Sequence, residues 1–129
     1  MNILVVDSDP IQLQSLSRGL KSSGYLVVTA ANLTEAFAVL DEADSQIQLI
    51  LTDLKSPQLD AFALAKKARA KNRLFPIIIM TTYISSELQK QIQQESCITL
   101  IEKPFFLEKL LQEVERLNHL DDFSNYITG

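Results

Sequence analysis

Apolar residues along this chain fall into two alternating patterns, short mostly apolar runs and stripes at helical spacing. Ile3 to Val6, Leu26 to Ala30, Ile47 to Leu51, Ile77 to Met80 and Ile98 to Ile101 read as strands, and the more apolar runs suit strands buried on both faces. Between the first two, Asp9 and Pro10 predict a helix N-cap followed by proline at the first helical position. Leu13, Leu16 and Leu20 mark its inner face, and Gly24 closes it. Asn32 and Glu35 form a capping-box-like pair ahead of a helix with Leu33, Ala36, Phe37 and Leu40 inward. An alanine-rich helix from about Leu59 to Ala70 presents Phe62 and Ala65 to the sheet. Ile84, Leu88 and Ile92 stripe a mostly polar helix that packs lightly. Leu107, Leu110, Leu111, Val114 and Leu117 make a strong final amphipathic helix. After Leu117 the periodicity is lost, so residues 119–129 read as a tail or the start of a linker.

Strands and helices thus alternate five times with short connections. That order predicts an α/β domain over 1–118, a doubly wound (βα)5 parallel sheet covered on both faces. The 129 residues suffice for one domain with a real core, and 47% hydrophobic with 22% charged residues is an ordinary globular composition. A net charge of −4 argues against a domain that itself grips nucleic acid or an anionic membrane. The single cysteine, Cys97, permits no internal disulfide, suits a reducing cytoplasm and is expected to be buried. The single histidine, His119, is expected at an exposed helix end. The first strand starts directly after Met1, which predicts no signal peptide, and no apolar run approaches the roughly 20 residues that span a bilayer.

The chemistry gathers at strand ends. Asp7 follows the first strand, Asp53 the third, Thr81 the fourth and Lys103 the fifth. In a doubly wound sheet those carboxyl-side ends converge on one crevice. Two carboxylates, a hydroxyl and an ammonium on one rim are the parts that phosphoryl chemistry needs, with a metal to neutralise charge.

At these spacings Asp7 after an apolar strand, Thr-Asp-Leu-Lys-Ser-Pro-Gln-Leu-Asp, Ile-Ile-Ile-Met-Thr-Thr and Ile-Glu-Lys-Pro-Phe together resemble the response-regulator receiver domain, the CheY-like module of two-component signalling. The resemblance covers residues 2 to about 118 and implies a flavodoxin-like strand order 2-1-3-4-5. It implies that Asp53 accepts a phosphoryl group, that Thr81 bonds it and that Lys103 neutralises it. It further implies Mg2+ held by Asp7, Asp53 and the backbone carbonyl of Lys55, with Ser8 contributing weakly or through water. Lys55, Tyr83 and Thr82 stand where neighbours modulate the lifetime of the phosphoryl group, Leu100 stands at the switch position, and Lys103-Pro104 is expected to be cis. The module is not an enzyme with an external product. The partners implied are a sensor histidine kinase or phosphotransfer protein, a second copy meeting through the helix 4-strand 5-helix 5 face, and an output domain or downstream protein. Neither nucleic acid nor membrane is expected to bind directly.

Three positions depart from the family pattern: Ser8 replaces a carboxylate, Leu100 an aromatic residue, and Ala61 a glycine. Ser8 leaves open a pseudo-receiver, an interaction module that works without phosphorylation. Asp7-Ser8-Asp9 after an apolar strand also resembles the start of haloacid-dehalogenase-type phosphatases, with Asp7 as nucleophile. Those enzymes need a later acidic pair, and the only late pair is Asp121-Asp122. A flavodoxin-type cofactor binder shares the topology, but Gly19, Gly24 and Gly129 do not supply a phosphate-cradling loop.

Overall fold

The computed structural model describes every residue except Gln58, Ser96 and Gly129, and the side chains as far as Asn118. Five strands, β1 (Asn2–Val6), β2 (Leu26–Ala30), β3 (Leu49–Asp53), β4 (Ile77–Thr81) and β5 (Ile98–Glu102), form one parallel sheet in the order β2-β1-β3-β4-β5. The helices between and after them are α1 (Pro10–Ser22), α2 (Leu33–Asp41), α3 (Ala61–Lys71), α4 (Ser86–Gln93) and α5 (Leu107–Thr128).

Successive strand residues face opposite sides, and the sheet therefore carries two cores. Leu4, Val6, Ile50, Ile77 and Ile79 meet Ala36 and Leu40 of α2 and Leu64, Ala65 and Ala68 of α3. Ile3, Val5, Leu51, Ile78 and Met80 meet Leu16 and Leu20 of α1 and Leu110, Val114 and Leu117 of α5. As expected from its polar sequence, α4 packs lightly and buries only Leu88.

Capping follows the sequence signals closely. Asp9 accepts from the Ile11 N–H at 3.0 Å with Pro10 at the helix start, and Gly24 sits at φ 97° beyond the end of α1. Asn32 accepts from the Glu35 N–H at 2.8 Å, but the Glu35 carboxylate reaches the Ala31 N–H (2.6 Å) instead of closing the box on Asn32. Asp60 caps α3 by accepting from Phe62 N–H at 3.0 Å.

Three boundaries differ from the sequence reading by more than one residue. β3 begins at Leu49 and runs through Asp53, because hydrogen-bonded pairing with β1 and β4 defines it more than the apolar run does. A two-residue antiparallel hairpin, Lys55–Ser56 with Leu59–Asp60, precedes α3, which starts at Ala61. The backbone of α5 stays helical to Thr128, through most of the stretch read as a tail, while the side chains there, His119 and Asp121-Asp122 included, lie outside the described residues. Cys97, expected buried, is half-buried with a left-handed φ of 62° just before β5.

Candidate functional site

Parallel pairing brings the carboxyl ends of β1, β3, β4 and β5 to one edge, and Asp7, Asp53, Thr81 and Lys103 arrive there together. Asp53 is the last residue of β3 and Thr81 the last of β4; Asp7 and Lys103 each follow a strand directly. The Lys103 N–H donates to the Thr81 carbonyl at 2.7 Å, which extends the β4–β5 ladder and fixes the height of the lysine. The peptide bond that follows, Lys103-Pro104, is cis, as expected.

The Lys103 ammonium donates to Asp53 Oδ1 at 2.9 Å and lies 3.9 Å from Asp7 Oδ2. Asp7 is only 2% exposed. Its Oδ1 accepts from the Asp9 N–H at 2.9 Å, whereas its Oδ2 is buried and has no hydrogen-bond partner. Burial pushes the Asp7 carboxyl above its ordinary pKa; the Asp9 amide and Lys103 oppose that shift, and the neighbouring charges of Asp53 and Asp9 add to it. An orphaned, buried carboxylate oxygen facing an ammonium and a second carboxylate is a strained polar group waiting for a cationic or proton-donating partner.

Thr81 uses its hydroxyl locally. The hydroxyl donates to the Tyr83 carbonyl (3.1 Å) and accepts from the Tyr83 N–H (3.3 Å), so it holds the chain where β4 leaves the sheet. Tyr83 itself is 72% exposed, and Thr82, Lys55 and Ser8 are exposed as well. Leu100 is half-buried and packs with the core shared by α2 and α3. Ala61 is fully buried, and its N–H donates to the Leu54 carbonyl at 3.0 Å.

Sequence reasoning missed two features. The Asp9 amide, a partner of Asp7, was legible as the Asp-x-Asp turn pattern, because an aspartate side chain commonly bonds the backbone two residues on. A cavity of about 550 Å³ beside Lys103, lined by Gln12, Ser15, Thr82 and Phe105, had no local signal, since it joins α1 to loops far along the chain. Among the described residues no three of His, Cys, Asp and Glu come together as a metal cluster. No helix among them is long and apolar enough to cross a membrane.

Comparison with known proteins agrees with this geometry. The family model for the response regulator receiver domain matches residues 3–115. The DNA-binding transcriptional regulator NtrC of Salmonella typhimurium is 29% identical over 88% of this chain, and the sensor kinase CckA of Brucella abortus is 24% identical over 93% of it. The chain spans 24% of the first relative's length and 13% of the second's. Among solved structures, the chemotaxis protein CheY4 of Vibrio cholerae superposes with a TM-score of 0.80 at 30% identity, covering 89% of this chain and 96% of that one. A CheY-like receiver domain from Methanospirillum hungatei gives 0.81 at 28% identity, covering 94% and 96%. The match to the receiver-domain model over residues 3–115 speaks against the phosphatase alternative with Asp7 as nucleophile. With the strand order, the converging strand ends and a match over 3–115, this chain belongs to the response-regulator receiver domain family of two-component signalling.

Proposed function

We propose that this domain takes a phosphoryl group from the phosphohistidine of a sensor kinase or phosphotransfer protein onto Asp53, in the cytoplasm, and passes the signal on by protein association. The observation that carries this reading is the 2.9 Å contact between the Lys103 ammonium and Asp53, with Thr81 on the adjoining strand end. An Asp53 oxygen attacks phosphorus, an O–P bond forms, and the N–P bond of the donor breaks. The donor nitrogen leaves with the bonding pair. As charge moves from the Asp53 carboxylate to the phosphoryl oxygens, the Lys103 ammonium follows it. The Thr81 hydroxyl can donate to a phosphoryl oxygen only by releasing the Tyr83 carbonyl, so loading Asp53 removes one of the two bonds that hold the loop before α4. The face formed by α4, β5 and α5 is then the surface that meets a second copy, an output domain or a downstream protein.

The donor set fits Mg2+. Asp7 offers an unpartnered buried oxygen, Asp53 a second carboxylate and Lys55 its carbonyl, with waters completing the shell. When bound, the ion neutralises phosphoryl charge. Ser8 supplies no carboxylate, so Ser8→Asp is expected to tighten Mg2+ binding by about tenfold, the effect of roughly 1.4 kcal/mol from one added charge contact. Titration of the protein with Mg2+ by calorimetry checks this; unchanged affinity would remove Ser8 from the site.

Intact mass after incubation with acetyl phosphate and Mg2+ tests the whole reading. The parent is expected to gain one phosphoryl group and Asp53→Asn none. The second reading, a module that works unphosphorylated, rests on Ser8 and on an ammonium already seated between the two carboxylates. It predicts no gain in either protein.

Lys55 and Tyr83 stand on the hairpin after β3 and the loop after β4, two residues beyond Asp53 and Thr81. Neither is a carboxylate or amide suited to orienting an attacking water, and both are long enough to crowd its approach. Lys55→Asn with Tyr83→Glu is expected to speed phosphate loss by about tenfold, or 1.4 kcal/mol of barrier. Release of inorganic phosphate from the loaded domain gives the rate.

A further inference from the structure

The sheet has two open edges, and they are built differently. β5 carries a charge at Glu102, and Arg116 of α5 donates to its Thr99 hydroxyl at 2.9 Å. β2 reads Leu-Val-Val-Thr-Ala, with no charge and no proline, and its register with β1 is unbroken from Leu26 to Ala30. Charges, prolines and bulges are the devices by which natural edge strands refuse another strand, and β2 has none of them. Leu26 is 67% exposed and Val28 42% exposed on one face of this edge. A groove of about 800 Å³ runs beside them, lined in part by Lys21, Tyr25 and Val39.

An account of the main-chain groups says what this edge can accept. The Leu26 N–H donates to the Met1 carbonyl (3.3 Å), and the Ala30 carbonyl accepts from the Asp7 N–H (3.2 Å). In a parallel ladder both groups of a residue point to the same side and the side alternates along the strand. Leu26, Val28 and Ala30 therefore serve β1, while Val27 and Thr29 aim their N–H and C=O groups outward. On either flank the next outward N–H is already committed, that of Tyr25 to the Leu20 carbonyl and that of Ala31 to the Glu35 carboxylate.

We propose that β2 joins β2 of a second copy of this chain, antiparallel about a two-fold axis at Val28, to make one continuous sheet. In that register Val27 of each copy exchanges both hydrogen bonds with Thr29 of the other, and all the open strand groups are satisfied. Val28 faces its own symmetry mate in a non-hydrogen-bonded pair, and Leu26 lies opposite Ala30. The open groups are symmetric about Val28, so the edge is its own complement. Sliding by two residues sets Val27 or Thr29 against a flanking residue whose N–H is already used. Although each chain carries a net charge of −4, the paired segment Leu26–Ala30 itself carries no charge. This surface is separate from the α4, β5 and α5 face and does not depend on phosphorylation.

The test uses the full 129-residue chain in a Cys97→Ser background. Non-hydrogen-bonded antiparallel partners have Cα atoms about 4.5 Å apart, within reach of a disulfide. Under mild oxidant Val28→Cys is expected to cross-link at least about tenfold faster than Leu26→Cys, whose thiol faces Ala30. Thr29→Pro removes an outward donor from each copy and no bond of the ladder to β1. It is expected to raise the dimer dissociation constant about tenfold or more in sedimentation equilibrium. Val28→Lys, which puts like charges on the axis, is expected to do the same, with circular dichroism confirming that each variant folds. A chain that stays monomeric at every concentration overturns the proposal. So does Leu26→Cys cross-linking as fast as Val28→Cys, or a dimer that survives Thr29→Pro and Val28→Lys but is lost on substituting the α4 face at Lys90→Glu.

Discussion

Lys103→Met is expected to slow the loading of Asp53 by acetyl phosphate by about 10²–10³-fold, the usual cost of removing one donor aimed at developing negative charge. Lys103 reaches Asp53 at 2.9 Å and Asp7 at 3.9 Å, so one substitution strips both carboxylates of a cation. Methionine keeps the length and apolar stem of lysine, so packing around the stem changes little. The loss is therefore electrostatic. Asp7 loses an interaction that favours its charged form, at a carboxyl that burial already pushes above its ordinary pKa. A time course of intact mass gives the rate for parent and variant; loss of less than about threefold would mean that the ammonium is not part of the reacting site.

The second large effect lies in the core beneath the site. Ile50→Ala is expected to cost about 2–5 kcal/mol of unfolding free energy, the range for truncating a buried isoleucine. Ile50 is fully buried at the middle of the sheet, opposite Leu4 of β1 and Ile77 of β4. It shares its core with Leu64, Ala65 and Ala68, and a sheet hydrogen-bonded on both sides of β3 cannot easily collapse into the void. Domains of this size are stable by about 5–15 kcal/mol in all, so this single truncation removes a large share of the total. Urea denaturation followed by circular dichroism measures the loss; a midpoint shift with unchanged m-value identifies it as a change in stability rather than in the denatured state.

The architecture was legible because buried parallel strands have no polar face and their helices have one. Ile77–Ile78–Ile79–Met80 could be little else, and all four are fully buried. Boundaries were less legible where pairing overrides composition. Ile47 belongs to the apolar run but precedes the strand, because the ladder with β1 starts at Leu49. The two-residue hairpin before α3 is too short to leave a periodic trace. The four site residues could be named because each ends or follows a strand, a place defined by the local run of apolar residues. Their mutual contacts could not be read. Which carboxylate Lys103 prefers, which oxygen of Asp7 stays unpartnered and what holds the Thr81 hydroxyl depend on rotamers set by neighbours far along the chain.

That dispersal along the chain has a biological consequence. Lys103 owes its height to the bond between its N–H and the Thr81 carbonyl, so it meets Asp53 only once β5 has docked on β4. β5 is the outermost strand on that side of the sheet and the last of its strands along the chain. Until it docks, a nascent or misfolded chain presents Asp53 as one more solvated carboxylate. Asp53 and its ammonium partner are therefore brought together only in a finished sheet, which makes their pairing a readout of complete assembly.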